Sequence, residues 1–227
     1  MSRMICWLVF GFLSVACLLA NNSSAQAGLI LNEFLADPAS GLAGDANGDG
    51  VRDSSDDEFV EFVNFSSVPF DLTGWSISDG LSVRHVFPVS SVVPSLSAVV
   101  IFGGGTPTRL FGTSMVQTAS TGSLSLNNIG DTITVKDAGN QIIFSIPYGS
   151  SANNDQSLNR SPELLGGFIK HGLVNGSGGS AFSPGTAVDG NSIESIVPEP
   201  ATFWLMLTGG ILILGKAYRP RCSSRRR

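Results

Sequence analysis

Between residues 28 and 149, the strongest segments of the chain alternate hydrophobic and polar side chains with a period of two. The clearest stretch is Asp131–Lys136, and a second strand-like stretch, Gln141–Ile146, follows the turn at Asp137–Asn140. Alternation of this kind places successive side chains on opposite faces of a β-strand. No window of this region repeats with the 3.6-residue period of a helix. The pattern therefore predicts an all-β domain.

The other predicted strands are short, and turn residues separate them. Asp79-Gly80 is a two-residue hairpin signal between Asp71–Ser78 and Val83–Phe87. Strands are also predicted at Gly28–Leu35, Glu58–Asn64, Ala98–Phe102 and Leu124–Leu126. About seven or eight short strands over about 120 residues are typical of a β-sandwich. Glu58–Asn64 carries an apolar pair and one glutamate on each face, which indicates a strand near a sheet edge or beside the preceding loop.

From Tyr148 to Ile196 the composition changes to glycine, serine and asparagine, and the alternation ends. A stretch of this kind is either a loop laid over the sandwich or a linker. We expect both. The domain is predicted to span residues 28–187, and residues 188–196 are predicted to form a linker.

The first 27 residues have the three parts of a secretory signal. Ser2-Arg3 is a short positive region, Met4–Ala20 is almost wholly apolar, and Ala25-Gln26-Ala27 is a small-residue cleavage site. We expect a signal helix within residues 1–27 and cleavage between Ala27 and Gly28. The alternative is an uncleaved N-terminal anchor.

The other end of the chain combines a short motif, an apolar stretch and a basic tail. Val197-Pro-Glu-Pro200 precedes apolar residues 201–215, and six basic residues follow. About fifteen apolar residues are few for a membrane span, for which about 20 are usual. The basic cluster nevertheless favours a span, because positive charge stays on the cytoplasmic side. We expect a C-terminal transmembrane helix in the inner membrane, with the body outside the cytoplasm.

This three-part end resembles the PEP-CTERM sorting signal of Gram-negative bacteria, and the resemblance covers residues 197–227. It implies handling by an exosortase, cleavage near the motif, and release to the cell envelope or the extracellular matrix. Proteins of this kind are typically made alongside exopolysaccharide, which is therefore a candidate partner. The sorting motif would consist of Val197, Pro198, Glu199 and Pro200. An ordinary tail anchor is the alternative.

Charge and cysteine use describe the body from Gly28 to Ile196. It holds 17 of the 18 acidic and 6 of the 13 basic residues, which gives a net charge of −11. Nucleic acid would demand a basic face, so this charge argues against it and favours cation binding. All three cysteines lie outside the body, so a packed core, and metal if one binds, must hold it without disulfides.

The acidic loop between the first two predicted strands has the ligand spacing of an EF-hand loop. The loop begins at Asp45, and Gly50 falls at the turn-making sixth position. The candidate ligands are Asp45, Asn47, Asp49, the Val51 carbonyl, Asp53 and Asp56. Oxygen donors without histidine or cysteine select Ca²⁺ over zinc or copper. Asp56 is shorter than the usual glutamate at the twelfth position, and Asp57 or Glu58 are candidate substitutes.

We expect calcium to order this loop, weakly and structurally rather than as a sensor. Four aspartates so close together repel one another unless a cation lies between them. The alternative is a solvated acidic loop without an ion.

Several separated stretches resemble the lamin tail domain: Leu31–Phe34, Asp57–Asn64, and Asp71–Trp75 with Ser78-Asp-Gly80. Others resemble the closing part of its bacterial members: Gln156–Pro162, His171 and Ser183–Thr186. The resemblance spans roughly residues 28–187. It implies an immunoglobulin-like β-sandwich without general catalytic residues. In bacteria the family occurs on secreted and surface proteins, often beside enzymes such as nucleases.

The remaining candidate chemistry is weak. Glu33 and Glu61 are candidates for an acid/base pair, but we expect both to be structural carboxylates that accept hydrogen bonds. His85 and His171 are far apart in sequence and define no Ser/His/Asp triad, and Gly103-Gly-Gly105 lacks the lysine and helix of a phosphate-binding loop.

We therefore expect an exported, non-enzymatic structural or adhesive module. The alternative is a carbohydrate-active or hydrolytic accessory protein on a sandwich scaffold.

Overall fold

The computed structural model describes residues 28–197. The predicted signal helix, Ala27, most of the predicted sorting motif and the predicted C-terminal hydrophobic helix lie outside these residues. Within residues 28–197 there is no α-helix, and none of the helical turns there is long and apolar enough to cross a membrane. The all-β prediction is confirmed for this part of the chain.

Twelve strands lie within the described residues: β1 (Leu29–Leu35), β2 (Phe59–Asn64), β3 (Phe70–Asp71), β4 (Ser76–Ser78), β5 (Val83–Val86), β6 (Val92–Val93), β7 (Ser97–Phe102), β8 (Met115–Thr118), β9 (Gly130–Lys136), β10 (Ile142–Gly149), β11 (Leu158–Ser161) and β12 (Gly167–Lys170). Short 3-10 turns occupy Gly41–Gly44, Ser150–Ala152, His171–Leu173 and Ile193–Ile196. The predicted strand Leu124–Leu126 is wrong, since this segment is unpaired. β6, β8, β11 and β12 were not predicted.

The strands form two main sheets. The larger has the order β12-β11-β1-β2-β7-β8, the smaller has the order β10-β9-β4-β5, and β3 pairs with β6. Neighbouring strands are antiparallel except β7 and β8, which are parallel. β11 and β12 thus extend the larger sheet from a region whose composition shows no strand pattern.

The inner faces of the two sheets enclose the main core. Leu31, Phe34 and Phe62 come from the larger sheet, and Ile77 and Ile133 come from the smaller one. These side chains are at most 1 % exposed. Burial of large apolar side chains contributes about 1.5–3 kcal/mol each, so such a core can hold a domain without disulfides.

The outer face of the larger sheet is also apolar, and the end of the described chain covers it. We call residues 171–197 the closing segment. One cluster brings its residue Phe182 together with Leu35, Ala46, Phe59, Val100, Phe102 and Phe111. A second cluster joins Ile193 to Val63, Ala98 and Leu164, with Ile196 and Val197 packed against it. The larger sheet therefore lies between the smaller sheet and the closing segment.

This third layer explains two differences from the sequence predictions. Of the two expected positions for β2, the one beside the acidic loop is correct and the one at a sheet edge is wrong, because β2 lies between β1 and β7. All six of its residues are buried, because the closing segment covers its outer side. Residues 188–196, expected as a linker, contain Ile193, which is only 3 % exposed. The polar composition of this stretch favoured a linker, but the stretch also contains two isoleucines, Ile193 and Ile196, that pack on the sheet.

Candidate functional site

The acidic loop, residues 45–57, leads into β2, and its carboxylates accept its own backbone amides. Asp45 accepts from the N–H groups of Gly48 and Gly50 at 2.8 and 3.0 Å. Both glycines have positive φ, 75° and 88°, which a residue without Cβ adopts at little cost. The chain therefore turns back over the Asp45 carboxylate.

Asp57 joins the two halves of the acidic loop. Its Oδ1 accepts from the Asn47 N–H at 3.0 Å and its Oδ2 accepts from the Asp53 N–H at 2.8 Å. Asp57 is fully buried, and burial raises the pKa of its carboxyl. The spacing makes Asp57 only a substitute ligand, whereas in the fold its carboxylate bonds to both halves of the loop. Glu58 points away, because its carboxylate accepts from the Leu126 N–H at 3.2 Å.

Three of the predicted ligands influence one another electrostatically. Partial burial and then the charges of Asp53 and Asp49 raise the pKa of the Asp56 carboxyl. Amide donors lower the pKa of Asp49 and of Asp53. Val51 is 66 % exposed, and its N–H donates to Asp49 at 2.9 Å. The carboxylates therefore lie close enough together to repel without a counter-ion.

The donor set of the acidic loop suits Ca²⁺ by chemistry. Every candidate ligand is an oxygen, and a carboxylate oxygen that accepts one amide keeps a second acceptor direction. Asn47 is fully buried, its Oδ1 accepts from the Asp49 N–H at 2.9 Å, and its Nδ2 has no hydrogen-bond partner among the described residues. Within residues 28–197, no three His, Cys, Asp or Glu side chains are arranged to hold a metal ion. Asparagine and backbone oxygens would therefore have to complete any site.

The glycine run Gly103-Gly-Gly105 supports this loop. The Gly104 N–H donates to the Asp56 carbonyl at 3.2 Å, and a Cβ at Gly104 would collide with the Asp56 carboxylate. The Thr106 N–H donates to Asp49 Oδ2 at 3.0 Å. These glycines allow close approach of the loop, and no phosphate is needed to account for them.

Arg109 connects the acidic loop to the closing segment. Its Nη2 donates to the Asp45 carbonyl at 3.1 Å, and its guanidinium lies 5.1 Å from the ring centroid of Phe182. The neighbouring Thr108 N–H donates to the Asn47 carbonyl at 3.0 Å. The connection between β7 and β8 therefore contacts both regions.

A second group of carboxyls lies under the closing segment. Glu33 of β1 and Glu61 of β2 are directly opposite each other, and both are fully buried. Glu33 accepts from the Ser183 N–H and Ser183 hydroxyl at 3.0 and 2.9 Å and from the Ser157 hydroxyl at 2.5 Å. Glu61 accepts from the Gly185 N–H at 2.7 Å.

Glu163 completes this group, which we call the glutamate belt (Glu33, Glu61 and Glu163). Its carboxylate accepts from the Val188 N–H at 3.1 Å. Burial, followed by the charge of Glu33, raises the pKa of Glu61 well above its usual value. Burial also raises the pKa of Glu163, and Glu33 adds to this shift. Three amides of the closing segment are thus each received by one glutamate.

His171 adjoins the glutamate belt and comes closest to a catalytic arrangement. Its Nε2 lies 2.9 Å from Ser183 Oγ, and its Nδ1 lies 2.8 Å from the Ser180 carbonyl oxygen. However, Glu33 binds the serine rather than orienting the imidazole, and the amides of Ser183 and Gly185 already donate to carboxylates. His171 is also fully buried. The arrangement fastens the closing segment and offers no free oxyanion donors.

The other singled-out side chains serve packing. His85 is buried, its Nε2 lies 3.0 Å from Gln117 Oε1, and burial lowers its pKa. Arg160 donates to the Leu31 and Gly166 carbonyls at 2.7 and 2.6 Å. Both residues therefore have structural partners within the sandwich.

Sequence reasoning missed the partners of the glutamate belt. Ser157 and Ser183 reach Glu33 across 124 and 150 positions of the chain, and no spacing rule links residues so far apart. Glu163 stood in a stretch without periodicity. A weak signal was available: Glu33 and Glu61 sit in apolar strands, where a carboxyl must have hydrogen-bond partners.

One comparison with known proteins finds a match. The lamin tail domain family model matches residues 22–150, more than half of the chain. No curated protein matches the chain. β11, β12 and the closing segment lie beyond the matched range, although they complete the larger sheet and cover its outer face. The family is one of structural, immunoglobulin-like domains, and this all-β chain belongs to the lamin tail domain family.

Proposed function

We propose that this protein is an exported, non-enzymatic structural or adhesive module. It would be sorted by an exosortase to the cell envelope or the exopolysaccharide matrix, and its acidic loop would be ordered by calcium. The non-enzymatic part of the proposal rests on the hydrogen bonds that the glutamate belt already makes to the closing segment. The carboxyls that could act as an acid/base pair are buried and bonded to the closing segment.

The destination is proposed from the two ends of the chain. The apolar N-terminal stretch with its Ala25-Gln26-Ala27 site favours export. Val197-Pro-Glu-Pro200, the apolar residues 201–215 and the arginine-rich tail favour an inner-membrane precursor with the body outside. Exosortase and the inner membrane are therefore the proposed partners, together with exopolysaccharide at the destination. The net charge of −11 in the body disfavours nucleic acid.

Fractionation of cells tests the proposed destination. The full chain and a chain ending at Ile196 would be expressed in a bacterium that contains the exosortase and in a matched strain that lacks it. We expect the full chain to reach the envelope or medium in a shortened form only when the exosortase is present. The truncated chain should distribute identically in both strains. An equal distribution of the full and truncated chains would contradict the sorting proposal.

Calcium ordering has its own support and its own test. The oxygen-only donor set favours a cation in the acidic loop. So does the raised pKa of Asp56, which comes from partial burial first and then from the charges of Asp53 and Asp49. Titration calorimetry of the purified protein should show calcium uptake with a dissociation constant of about 10⁻⁴ to 10⁻³ M. The Asp45→Ala/Asp49→Ala variant should lose this uptake, whereas Asp71→Ala, outside the loop, should retain it. Identical heats from all three proteins would exclude the site.

A hydrolytic or carbohydrate-active accessory role is the second candidate. It would need a carboxyl pair open to substrate, and the Glu33–Glu61 pair is covered by the closing segment. A glycan-binding screen of the secreted protein distinguishes the two proposals. Retention of exopolysaccharide without a change in its chain length supports the adhesive module, whereas shortened chains support the hydrolytic one.

A further inference from the structure

The glutamate belt crosses an otherwise apolar sheet face. Along β2, Phe59 and Val63 point outward on either side of Glu61 and belong to the two outer clusters. On β1, Glu33 lies directly opposite Glu61, and on β11, Asn159 lies directly opposite Glu33. A continuous row of buried polar side chains therefore runs beneath the closing segment, between two apolar clusters.

This row holds the closing segment by side chains rather than by strand pairing. The amides of Ser183, Gly185 and Val188 donate to Glu33, Glu61 and Glu163 respectively. The apolar contacts of Phe182 and Ile193 add to this fastening on either side. Because the hydrogen-bond acceptors are titratable groups, the strength of the fastening depends on their protons.

His171 and Glu33 meet at the side chain of Ser183. The Nδ1 atom of His171 faces the Ser180 carbonyl, which only accepts, so Nδ1 carries a hydrogen. The Nε2 atom of His171 and Glu33 Oε2 both lie 2.9 Å from the hydroxyl oxygen of Ser183. The Ser183 hydroxyl therefore lies between the imidazole and the carboxyl.

Few positive charges oppose the three carboxyls. His171 is the basic group in contact with the belt, 3.9 Å from Glu33 Oε1. Arg160 of β11 donates to backbone carbonyls, and Arg109 lies over Phe182 and bonds to the acidic loop. Asp189 of the closing segment adds negative charge near Glu163. When Glu61 and Glu163 lose their protons, like charges face one another in a buried layer.

We propose that the glutamate belt makes the closing segment a pH-sensitive fastener, firmly held in mild acid and loosened as the pH rises. The sign follows from the carboxyl pKa values of Glu61 and Glu163, which folding raises. Between the ordinary glutamate pKa and the raised folded pKa, the unfolded chain gives up its proton first. The closing segment therefore loses stability as the pH increases through that range. This proposal depends on neither export nor calcium.

Hydrogen exchange of the purified full-length protein, read by mass spectrometry, tests this inference. Peptides from residues 177–197 would be followed at about pH 5 and about pH 9, corrected for the intrinsic exchange rate, with β7 as an internal reference. We expect protection of the closing segment to fall by about tenfold or more at the higher pH, because one unit of pKa difference changes an equilibrium tenfold. Protection of β7 should fall much less.

Two variants test whether the glutamate belt causes the pH dependence of the closing segment. Glu163→Gln changes a half-buried side chain and should fold, and Glu61→Gln/Glu163→Gln removes two titratable groups. Each should reduce the pH dependence of the closing segment, the double variant more than the single one. Asp53→Asn, in the acidic loop, should leave the pH dependence as in the unaltered protein. Unchanged wild-type protection between the two pH values would overturn the inference, as would an equal pH effect in wild type and Glu163→Gln.

Discussion

The protein has two carboxylate-rich regions that differ in solvent exposure and in the origin of their hydrogen-bond donors. In the acidic loop, Asp45, Asp49 and Asp53 accept amides from their own neighbourhood, two to five residues away, or from the adjacent glycine-rich connection. In the glutamate belt, Glu33 and Glu61 accept amides from more than 120 positions away. The first region is organised by local sequence, and the second by the topology of the whole domain.

The comparison shows how the same chemical group can serve two purposes. A partly solvated carboxylate with spare acceptor capacity can receive a cation from solution. A buried carboxyl surrounded by donors fixes the segment that supplies those donors, and it resists ionisation because burial penalises charge. The acidic loop should therefore respond to calcium and the glutamate belt to pH.

The largest expected effect comes from removing a carboxyl of the belt. Glu33→Ala removes the acceptor of the Ser183 amide and the carboxylate that the Ser157 and Ser183 hydroxyls donate to. We expect the free energy of unfolding to fall by about 3–5 kcal/mol, measured by denaturant titration without calcium. Asp53→Ala, on the exposed loop, is the matched control and should cost far less. Equal losses for the two variants would remove the distinction between the regions.

Truncation of an apolar residue of the closing segment should rank next. Ile193→Ala leaves a cavity against Val63 and Ala98, and we expect a loss of about 2–4 kcal/mol in the free energy of unfolding. Leu173→Ala, which alters a side chain that is 73 % exposed in the same segment, should change it little. If residues 188–196 behaved as a linker, the two variants would unfold at the same denaturant concentration.

A smaller effect is expected where the acidic loop meets the glycine run. Gly104→Ala places a methyl group against the Asp56 carboxylate, so the loop must shift, at a cost of about 1–3 kcal/mol. Calcium affinity should fall as well, because the shift moves a proposed ligand. Gly149→Ala is the control, since nothing lies within 4 Å of the added methyl group. Unfolding and calcium titrations of both variants provide the measurement, and unchanged calcium affinity in Gly104→Ala would argue against a site that includes Asp56.

The smallest effect concerns the link between the regions. Arg109→Ala removes the contact with Phe182 and the hydrogen bond to the Asp45 carbonyl, and we expect a loss of about 1 kcal/mol. Arg52→Ala serves as control, because Arg52 bonds to the Pro38 and Ala39 carbonyls and not to the closing segment. Thermal unfolding with and without calcium should show a smaller calcium-induced rise in Tm for Arg109→Ala. A rise equal to that of the control would mean that the two regions are independent.

Local patterns predicted much of this fold. Alternation identified β4 and β9, and apolar runs of strand length identified β1 and β7. It failed for β11 and β12, whose residues, such as Asn159 and Lys170, carry no such pattern. β11 is placed by pairing with β1, a contact between the two ends of the domain, and β12 is placed by pairing with β11. Long-range pairing of this kind leaves no period in the sequence.

The same limit applies to the candidate sites. The spacing from Asp45 to Asp56 was visible because a metal-binding loop uses neighbouring residues. The importance of Asp57 was not visible in the sequence, since its two amide partners lie in opposite halves of the loop. The glutamates could be suspected of having partners, but Ser183, Gly185 and Val188 could be identified only from the folded chain.

The most direct test of the account is hydrogen exchange of the full-length protein under four conditions, with and without calcium at low and high pH. We predict that calcium slows exchange in residues 45–57 and 103–109 and that pH changes exchange mainly in residues 177–197. Each stimulus should leave the other region nearly unchanged, apart from the modest coupling through Arg109. Equal responses of both regions to both stimuli, or no response of either, would contradict the division of roles between the acidic loop and the glutamate belt.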